Sequence, residues 1–389
     1  MDMDPDPAPD PDTAAPAAVR RYAVRFDSDV LAAPGVGSGL GAWLLLALVA
    51  DQAEPADRAL LEDQLGLPAG EARAALADLL ADPHPAVSAA VARWADAAAL
   101  TADFGGWAVP GAVEDGPLPD QAGADRWTAE RTGGLIETFP LEITELTRLV
   151  LASALATRIS WRTPLVELDD GGLGTDAATA RHLVLETVAA GPVGVVAPTT
   201  ASGLTVVSVV ADPAVPREQV IAAAHEVAAA LASTRLPDAV AVLEDGHAWT
   251  VSEHREVRAA FQDVVEEWSG WVPSWRLTSE HDLADAPGFA TALASLARYV
   301  RPEERPAETE ARQAAVAAYS ATGFEAAAVT GMGIRATGLA HEQEVLVRRI
   351  HLRLDRPHAV VAVALDTGRG GAAWHGIPVF TAWVDPTTG

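Results

Sequence analysis

Histidines and carboxylates come first in a search for chemistry, because they supply many metal ligands and general bases. The chain holds ten histidines, but no His-Glu-x-x-His motif is present. The closest grouping of histidine with carboxylates is Glu244-Asp245-Gly246-His247. An Asp-Gly pair marks a turn more often than it belongs to a ligand set. We therefore expect no metal site and no cofactor.

Residue patterns for nucleophilic or phosphate chemistry are also missing. The glycine-rich segment at residues 171–174 lacks the lysine and the spacing of a phosphate-binding loop, and there is no Gly-x-Ser-x-Gly elbow. The chain has no cysteine, which excludes disulfides, thiolate catalysis and cysteine–zinc sites. The sequence thus names no catalytic residues.

One stretch of small side chains is the most unusual feature of the chain. Residues 323–334 read Gly-Phe-Glu-Ala-Ala-Ala-Val-Thr-Gly-Met-Gly-Ile, between strand-like runs at 314–319 and 358–365. Alanine favours helix and glycine favours neither helix nor strand, so this composition is unexpected between strands. Small side chains would let such a segment slide between two paired strands, where each inward position must fit a packed core. An alanine-rich surface helix is the alternative interpretation.

The stretch resembles the reactive-loop hinge of the serpins, which reads Glu-Glu-x-Gly-Thr-Glu-Ala-Ala-Ala-Ala-Thr. Two positions depart from that pattern: Ala321 replaces a glutamate, and Phe324 stands at the first inward position, where the family has threonine or serine. A phenyl ring in a gap sized for a hydroxyl is expected to cost about 1–3 kcal/mol by overpacking. The predicted hinge comprises Gly323, Phe324, Glu325, Ala326, Ala327, Ala328, Val329 and Thr330.

Further stretches resemble the same family in the same order. Trp127, Thr132, Gly134 and Ile136 match the pattern of a helix that, in serpins, lies across the central sheet. Residues 146–165 resemble a long central strand that ends at Trp161, the residue the family places where loop insertion begins. Residues 271–283, 354–361 and 378–386 resemble later segments of the family.

The resemblance implies an α+β, serpin-like fold. Such a fold has a large central, mostly antiparallel sheet, two smaller sheets, surrounding helices and an exposed reactive-centre-like loop. With 389 residues, 49% of them hydrophobic, the chain has enough apolar material for that core. Residues 1–18, rich in aspartate, proline and alanine, are expected to form a disordered tail. Residues 19–389 are expected to form one domain.

The resemblance also assigns the positions of a polar gate beneath the sheet. The family uses two serines, an asparagine and a histidine there, and the corresponding positions in this chain are Ala33, Val36, Ser153 and Gln313. With both serines and the histidine replaced, we expect the polar network that holds and releases the strands to be mostly absent.

The scissile bond follows only from the family's usual loop length. Counting from Gly323 places it near Thr337-Gly338, and the nearest basic residue is Arg335, which a trypsin-like protease could use. The segment at 338–350 looks longer than the family norm, so the register stays open. We expect Arg348 and Arg349, in that segment, to be exposed arginines at a strand edge.

Three functions are compatible with these observations. The first is a protease inhibitor that acts by loop cleavage and insertion into the central sheet, with a target protease as its partner. The second is a non-inhibitory protein of the same fold that binds a small molecule or a protein. The third is a scaffold recruited as an enzyme in bacterial metabolism; because no catalytic set can be named, we favour a non-enzymatic role.

Charge and targeting signals bound the partners and the location. The net charge of −27 disfavours nucleic acid and anionic membranes as partners. The absence of lysine and asparagine is typical of a GC-rich genome, and we expect a bacterial protein. The N-terminus lacks the basic start and apolar core of a signal peptide, so we predict a cytoplasmic monomer, with export by an unrecognised route left open.

Overall fold

The computed structural model describes residues 14–157, 159–200, 203–233, 236, 238–259, 262–304, 309–324, 342–366, 368 and 371–387. Several predicted site residues lie outside this range. They are Glu325, Ala326, Ala327, Ala328, Val329 and Thr330 of the hinge, and Arg335, Thr337 and Gly338 of the candidate scissile region.

Helices and strands are mixed along the described chain. The α-helices are α1 (Ala14–Val30), α2 (Gly39–Ala50), α3 (Pro55–Leu65), α4 (Ala69–Ala81), α5 (Gln121–Arg131), α6 (Arg217–Ser233) and α7 (Phe289–Ala297). The strands of the first half are β1 (Gly35–Gly37), β2 (Val87–Ala95), β3 (Glu114–Pro117), β4 (Leu149–Thr157), β5 (Ile159–Ser160), β6 (Val166–Glu167), β7 (Gly172–Asp176), β8 (Ala180–Thr187) and β9 (Gly191–Pro198). Those of the second half are β10 (Leu204–Val210), β11 (Trp249–Ala259), β12 (Val264–Pro273), β13 (Trp275–Asp282), β14 (Arg312–Tyr319), β15 (Gly323–Phe324), β16 (Glu342–Arg353), β17 (His358–Ala364) and β18 (Pro378–Val384).

The strands are arranged in four sheets. Their orders are β1-β18-β17-β10-β9-β8, β11-β16-β12-β7-β6, β13-β14-β15-β5 and β3-β2-β4. The largest, of six strands, is antiparallel, and the mixture of helices with such sheets confirms the predicted α+β class. The run at 146–165, expected to be a single central strand, contains the strands β4 and β5, and residue 158 between them lies outside the described chain.

The chain divides into two compact units, each assembled from three segments. The first comprises residues 1–157, 277–316 and 362–382, and the second comprises residues 158–276, 317–361 and 383–389. Because both units interleave along the sequence, no linker marks a boundary. The prediction of a single domain for residues 19–389 stays a prediction.

Helix α2 forms the centre of the first unit. It is apolar on all sides, and residues such as Leu40, Trp43 and Leu48 are fully buried, as expected for a helix inside a core. Its N-cap is Ser38, whose hydroxyl accepts a hydrogen bond from the Gly41 amide at 3.2 Å. A polar residue therefore enters this core at the start of the helix.

The N-terminal boundary differs from the sequence prediction. Helix α1 begins at Ala14, and Pro16, Ala17 and Ala18 are buried, although residues 14–18 were expected to belong to the tail. A proline in the first turn of a helix loses no intrahelical hydrogen bond, so Pro16 does not prevent the helix. Residues 1–13 lie outside the described chain.

None of the helices that the structure describes combines the length and the apolar character needed to cross a membrane. The cytoplasmic location predicted from the sequence stays a prediction.

Candidate functional site: a strand position between β14 and β5

Strand β15 lies between β14 and β5 in the four-stranded sheet. It is antiparallel to β14, with Phe324 opposite Tyr319, and antiparallel to β5, with Phe324 opposite Ile159 and Gly323 opposite Ser160. Strands β14 and β5 therefore run parallel to each other, separated by the width of one antiparallel strand. The first two residues of the predicted hinge occupy this position.

A tight turn feeds the chain from β14 into β15, and Trp161 holds it. The Ser320 amide donates to the Gly323 carbonyl at 2.9 Å, which closes the turn. The Trp161 amide donates to the Thr322 carbonyl at 3.1 Å, and its indole N–H donates to the Ser320 carbonyl at 2.9 Å. The sequence predicted Trp161 at the start of insertion, and it lies beside β15 here.

Phe324 is buried in an aromatic pocket of the second unit. Only 3% of the residue is exposed. The Trp275 ring meets the Phe324 ring edge-on, with centroids 5.9 Å apart, and stacks on Tyr319 at 6.0 Å. Trp161 contacts Tyr319 from another side, with ring centroids 5.1 Å apart.

The overpacking expected at Phe324 is therefore not found. The position is not a gap sized for a hydroxyl, because Trp275 supplies an aromatic wall against which a phenyl ring packs favourably. Sequence reasoning missed Trp275 and Tyr319 as neighbours of the hinge, although Trp275 lies in one of the segments that resemble the family.

The side chains on the buried face of β14 become smaller from Tyr319 toward Ala315. Tyr319, Ala317 and Ala315 alternate on that face and are 1–2% exposed. Phe324 lies opposite the first of these three residues, in the wide aromatic end. The register places Ala317 and then Ala315 opposite the next two positions of this face.

A polar network surrounds the start of α2 in the first unit. Gln313 on β14 binds both sides of one residue: its carbonyl oxygen accepts from the Ser38 amide at 2.8 Å, and its amide donates to the Ser38 carbonyl at 2.9 Å. The Ser38 hydroxyl donates to the Val379 carbonyl at 2.7 Å. These bonds join β14, α2 and β18 through a single capping residue.

Two residues of β13 complete the network. The Ser279 hydroxyl accepts from the Val36 amide at 3.0 Å, and the His281 Nε2 lies 2.7 Å from the Val36 carbonyl. Because a carbonyl only accepts, that nitrogen carries the proton in this arrangement. The expectation of a mostly absent polar network is wrong: Ser38, Ser279 and His281 supply the hydroxyls and the imidazole from other positions.

The predicted gate positions are only partly brought together. Val36 is buried, and Gln313 belongs to the network. A methyl group added to Gly41 of α2 would lie 3.2 Å from the Ser153 hydroxyl and 3.4 Å from the Gln313 amide nitrogen, so both side chains face this glycine. Ala33 is exposed and contributes no polar side chain.

A small cavity lies between β4 and β14 in the first unit. Its volume is about 40 Å³, room for roughly one or two water molecules. The two strands belong to different sheets. The lining includes Ala152, Ser153, Gln313 and Ala314 from the two strands. Trp127 of α5 and Thr132, the C-cap of that helix, also line it.

The end of α5 explains the spacing of the helix motif. The Thr132 hydroxyl donates to the Thr128 carbonyl at 2.8 Å and accepts from the Ile136 amide at 3.1 Å. Gly134 has a φ of 83°, a conformation that favours glycine. The motif is thus a local helix end, with Trp127 turned toward the cavity and bonded to Glu114 at 3.1 Å.

The strand after the predicted loop, β16, is held on both sides. It pairs antiparallel with β11 and parallel with β12. The Arg348 guanidinium binds Glu253 at 2.8 Å and Glu266 at 3.2 Å, and its side chain is only 16% exposed. Arg349 binds Glu267 at 2.9 Å. Arg349 is exposed, as predicted, with 54% of its side chain accessible, but Arg348 is not, and neither lies at a strand edge because β16 is an interior strand.

No family model and no curated protein matches the sequence. Solved structures do match over nearly the whole chain. Human glycosylated kallistatin has a TM-score of 0.64 at 15% identity and covers 96% of this chain and 97% of its own. The native state of tengpin, a thermophilic serpin, has a TM-score of 0.62 at 14% identity, with coverage of 94% and 92%.

The fold is the serpin fold. A thyroxine-binding globulin in complex with thyroxine matches it about as well, with a TM-score of 0.61 at 14% identity and coverage of 95% and 97%. The neighbours of this serpin-like chain therefore include a protein that binds a small molecule.

Proposed function

We propose that the protein is a protease inhibitor of the serpin type. A protease cuts the chain after β15 and forms an acyl-enzyme. The freed segment then continues β15 between its neighbours and carries the protease with it. The single observation that supports this proposal most is the pairing of Gly323 and Phe324 with strands on both sides.

The register of β15 gives the proposal a residue-level form. Phe324 lies opposite Tyr319, so continued antiparallel pairing would set Ala326 opposite Ala317 and Ala328 opposite Ala315. These positions share the buried face of β14, where only small side chains fit. Glu325 and Ala327 would point to the other face.

The same register carries Thr330 to the polar gate. On β14 it would lie opposite Gln313, and the pairing with Ile159, continued along β4, would set it opposite Ser153. A threonine hydroxyl at that point would meet hydrogen-bonding partners rather than alanine methyl groups. The pattern of the hinge, phenylalanine then alanines then threonine, fits the sequence of partners that the register assigns.

The energy for the process would come from new backbone hydrogen bonds and buried apolar surface. On this proposal the uncut chain would lack these and would be less stable than the cut one. Small side chains matter because the segment must enter before the acyl-enzyme is hydrolysed.

The test is thermal unfolding before and after a cut within residues 331–341, for example by trypsin at Arg335. We expect the cut protein to melt about 10 °C or more above the intact one. At the about 2–4 °C per kcal/mol that is typical of larger domains, this is a gain of several kcal/mol in stability. Ala328→Leu, which overfills the buried face, should abolish most of the gain. Ala327→Leu, the matched control on the other face, should keep it.

A second measurement addresses the protease itself. Incubation with a trypsin-like enzyme should give a complex that survives boiling in detergent, and Ala328→Leu should convert the protein from inhibitor to substrate. No gain in melting temperature and no stable complex would together rule out the inhibitory mechanism.

A non-inhibitory binding protein is the second candidate. The match to a thyroxine-binding globulin supports it, because that protein combines a fold of this type with a small-molecule ligand. The enzymatic alternative stays a prediction without a named catalytic set.

A further inference from the structure

The strand β11 forms one edge of the five-stranded sheet. It pairs with β16 over eleven residues, from Trp249 opposite Leu352 to Ala259 opposite Glu342. Among the described residues it has no strand on its other side. An edge of this length, about twice the usual strand, presents a row of backbone groups to which another strand can add.

The contacts of Val251 determine which residues face this open edge. Its amide donates to the Asp245 carboxylate at 2.7 Å instead of to β16. In an antiparallel ladder the N–H and C=O of one residue point to the same side, and the side alternates along the strand. The backbone groups of Val251, Glu253, Arg255 and Val257 therefore point away from β16.

The side chains of these four residues are, in order, apolar, charged, charged and apolar, so the order of apolar and charged positions is the same in either strand direction. Val251, Glu253, Arg255 and Val257 lie on one face of β11, because they alternate along the strand. In a second copy placed antiparallel about a two-fold axis at His254, Glu253 lies opposite Arg255 of that copy. Val251 lies opposite Val257 of that copy. The dimer would therefore contain two Glu253–Arg255 pairs and two Val251–Val257 pairs.

Neighbouring registers fail on charge. A shift of the axis to residue 253 sets the two Glu253 side chains against each other, and a shift to residue 255 does the same to the two Arg255 side chains. Like charges directly opposite each other destabilise a strand pair. A shift of the axis by half a residue, to a point between two residues, would set outward-facing backbone groups opposite inward-facing ones.

Three of the four side chains, those of Glu253, Arg255 and Val257, are exposed. Val257 is 70% exposed, unusual for a valine in a strand. The side chain of Arg255 is 65% exposed, and its contact with Glu344 spans 3.8 Å, so it contributes little. Glu253 also binds Arg348 but keeps 41% of its side chain exposed.

We propose that a second copy of this chain binds at β11, antiparallel about a two-fold axis at His254. The pairing joins two five-stranded sheets into one ten-stranded sheet and closes both edges, as an isologous dimer requires. The monomer expected from the sequence is the opposing outcome. This proposal does not depend on the proposed inhibitory function.

Sedimentation velocity over a range of concentrations tests it, in about 0.15 M salt, where charges beyond about 8 Å are screened. Wild type should show a monomer–dimer equilibrium. Arg255→Glu and Glu253→Arg should each weaken the dimer about tenfold or more, because each sets like charges opposite each other. An equal mixture of the two variants should restore dimers, since each Arg-bearing edge then meets a Glu-bearing one. Arg126→Glu, at an exposed position of α5, makes the same charge change away from β11 and should leave the dimer affinity unchanged.

Val257→Asp keeps the test decisive if Glu253→Arg disturbs Arg348 and fails to fold. It places a carboxylate opposite Val251 of the second copy and should also give monomers. Wild type that stays monomeric at every concentration would overturn the proposal. So would a dimer that persists in both Arg255→Glu and Val257→Asp.

Discussion

At the scale of residues, Phe324 shows how one side chain can be judged only with its neighbours. Its size was expected to oppose strand insertion, yet its ring fills a pocket built by Trp275 and Tyr319. A side chain that packs this well at the start of β15 also holds the chain between β14 and β5. We infer that Phe324 anchors β15 in place.

Phe324→Ala tests that role. Removing a buried phenyl ring should lower the free energy of unfolding by about 3 kcal/mol, less if β15 detaches on its own. Urea denaturation followed by tryptophan fluorescence measures this loss, since Trp161 and Trp275 flank the site. Phe324→Leu, which keeps most of the volume, should cost about 1 kcal/mol. Losses below about 0.5 kcal/mol for both variants, typical of surface positions, would contradict the anchoring role.

At the scale of elements, the two strands that border residues 325–341 are each paired on both sides. β15 lies between β14 and β5, and β16 lies between β11 and β12 and is tied by the ion pairs of Arg348. On the proposed mechanism, a cut between them would leave one piece anchored by β16. The other piece would extend β15 in the register set by Gly323 and Phe324.

Helices α1 and α2 cross closely at Gly39, and this contact gives a second test. A methyl group at Gly39 would lie 2.6 Å from the Ala23 Cα, closer than two carbons can approach. Because the obstacle is backbone, Gly39→Ala should destabilise the protein by about 1–3 kcal/mol in thermal or urea unfolding. Gly70→Ala in α4 is the matched control: nothing lies within 4 Å, so a small gain of up to about 1 kcal/mol is expected. Equal effects at the two glycines would show that α1 does not pack as described.

At the scale of the whole molecule, buried histidines couple stability to pH. Burial lowers the pKa of His182 to about 4 and that of His358 to about 4, from an ordinary 6.5. His358 is 1% exposed, and the Thr175 hydroxyl lies 2.8 Å from Nε2 of His182. Both imidazoles are therefore neutral in the folded protein at pH 7.

The sign of the pH dependence follows from the lowered pKa values. Below pH 6.5 the unfolded chain takes up protons that the folded chain refuses, so stability falls as pH decreases toward 4. Between pH 6.5 and 5 each histidine should cost roughly 2 kcal/mol. Urea unfolding at pH 7 and pH 5 measures the loss, and His182→Gln with His358→Gln should flatten it. A double variant with the slope of wild type would refute the assignment.

The sequence by itself predicted the α+β, serpin-like fold, which the structure confirms, whereas the character of the loop stays a prediction. Trp127, Thr132, Gly134 and Ile136 could be interpreted directly, because a helix end is built from residues close in the chain. The small side chains after Phe324 and the absence of cysteine likewise follow from composition alone.

Only the tertiary structure decided what surrounds those residues. Trp161, Trp275 and Phe324 are separated by tens to more than a hundred positions, so no local pattern could show that they form one pocket. The polar gate was misjudged for the same reason: Ser38 and His281 replace the expected side chains in space but not in sequence position. The interior place of Arg348 depends on β11 and β12 enclosing β16. Which surfaces pack together depends on segments that are distant in the chain, so the sequence of one strand does not determine its neighbours.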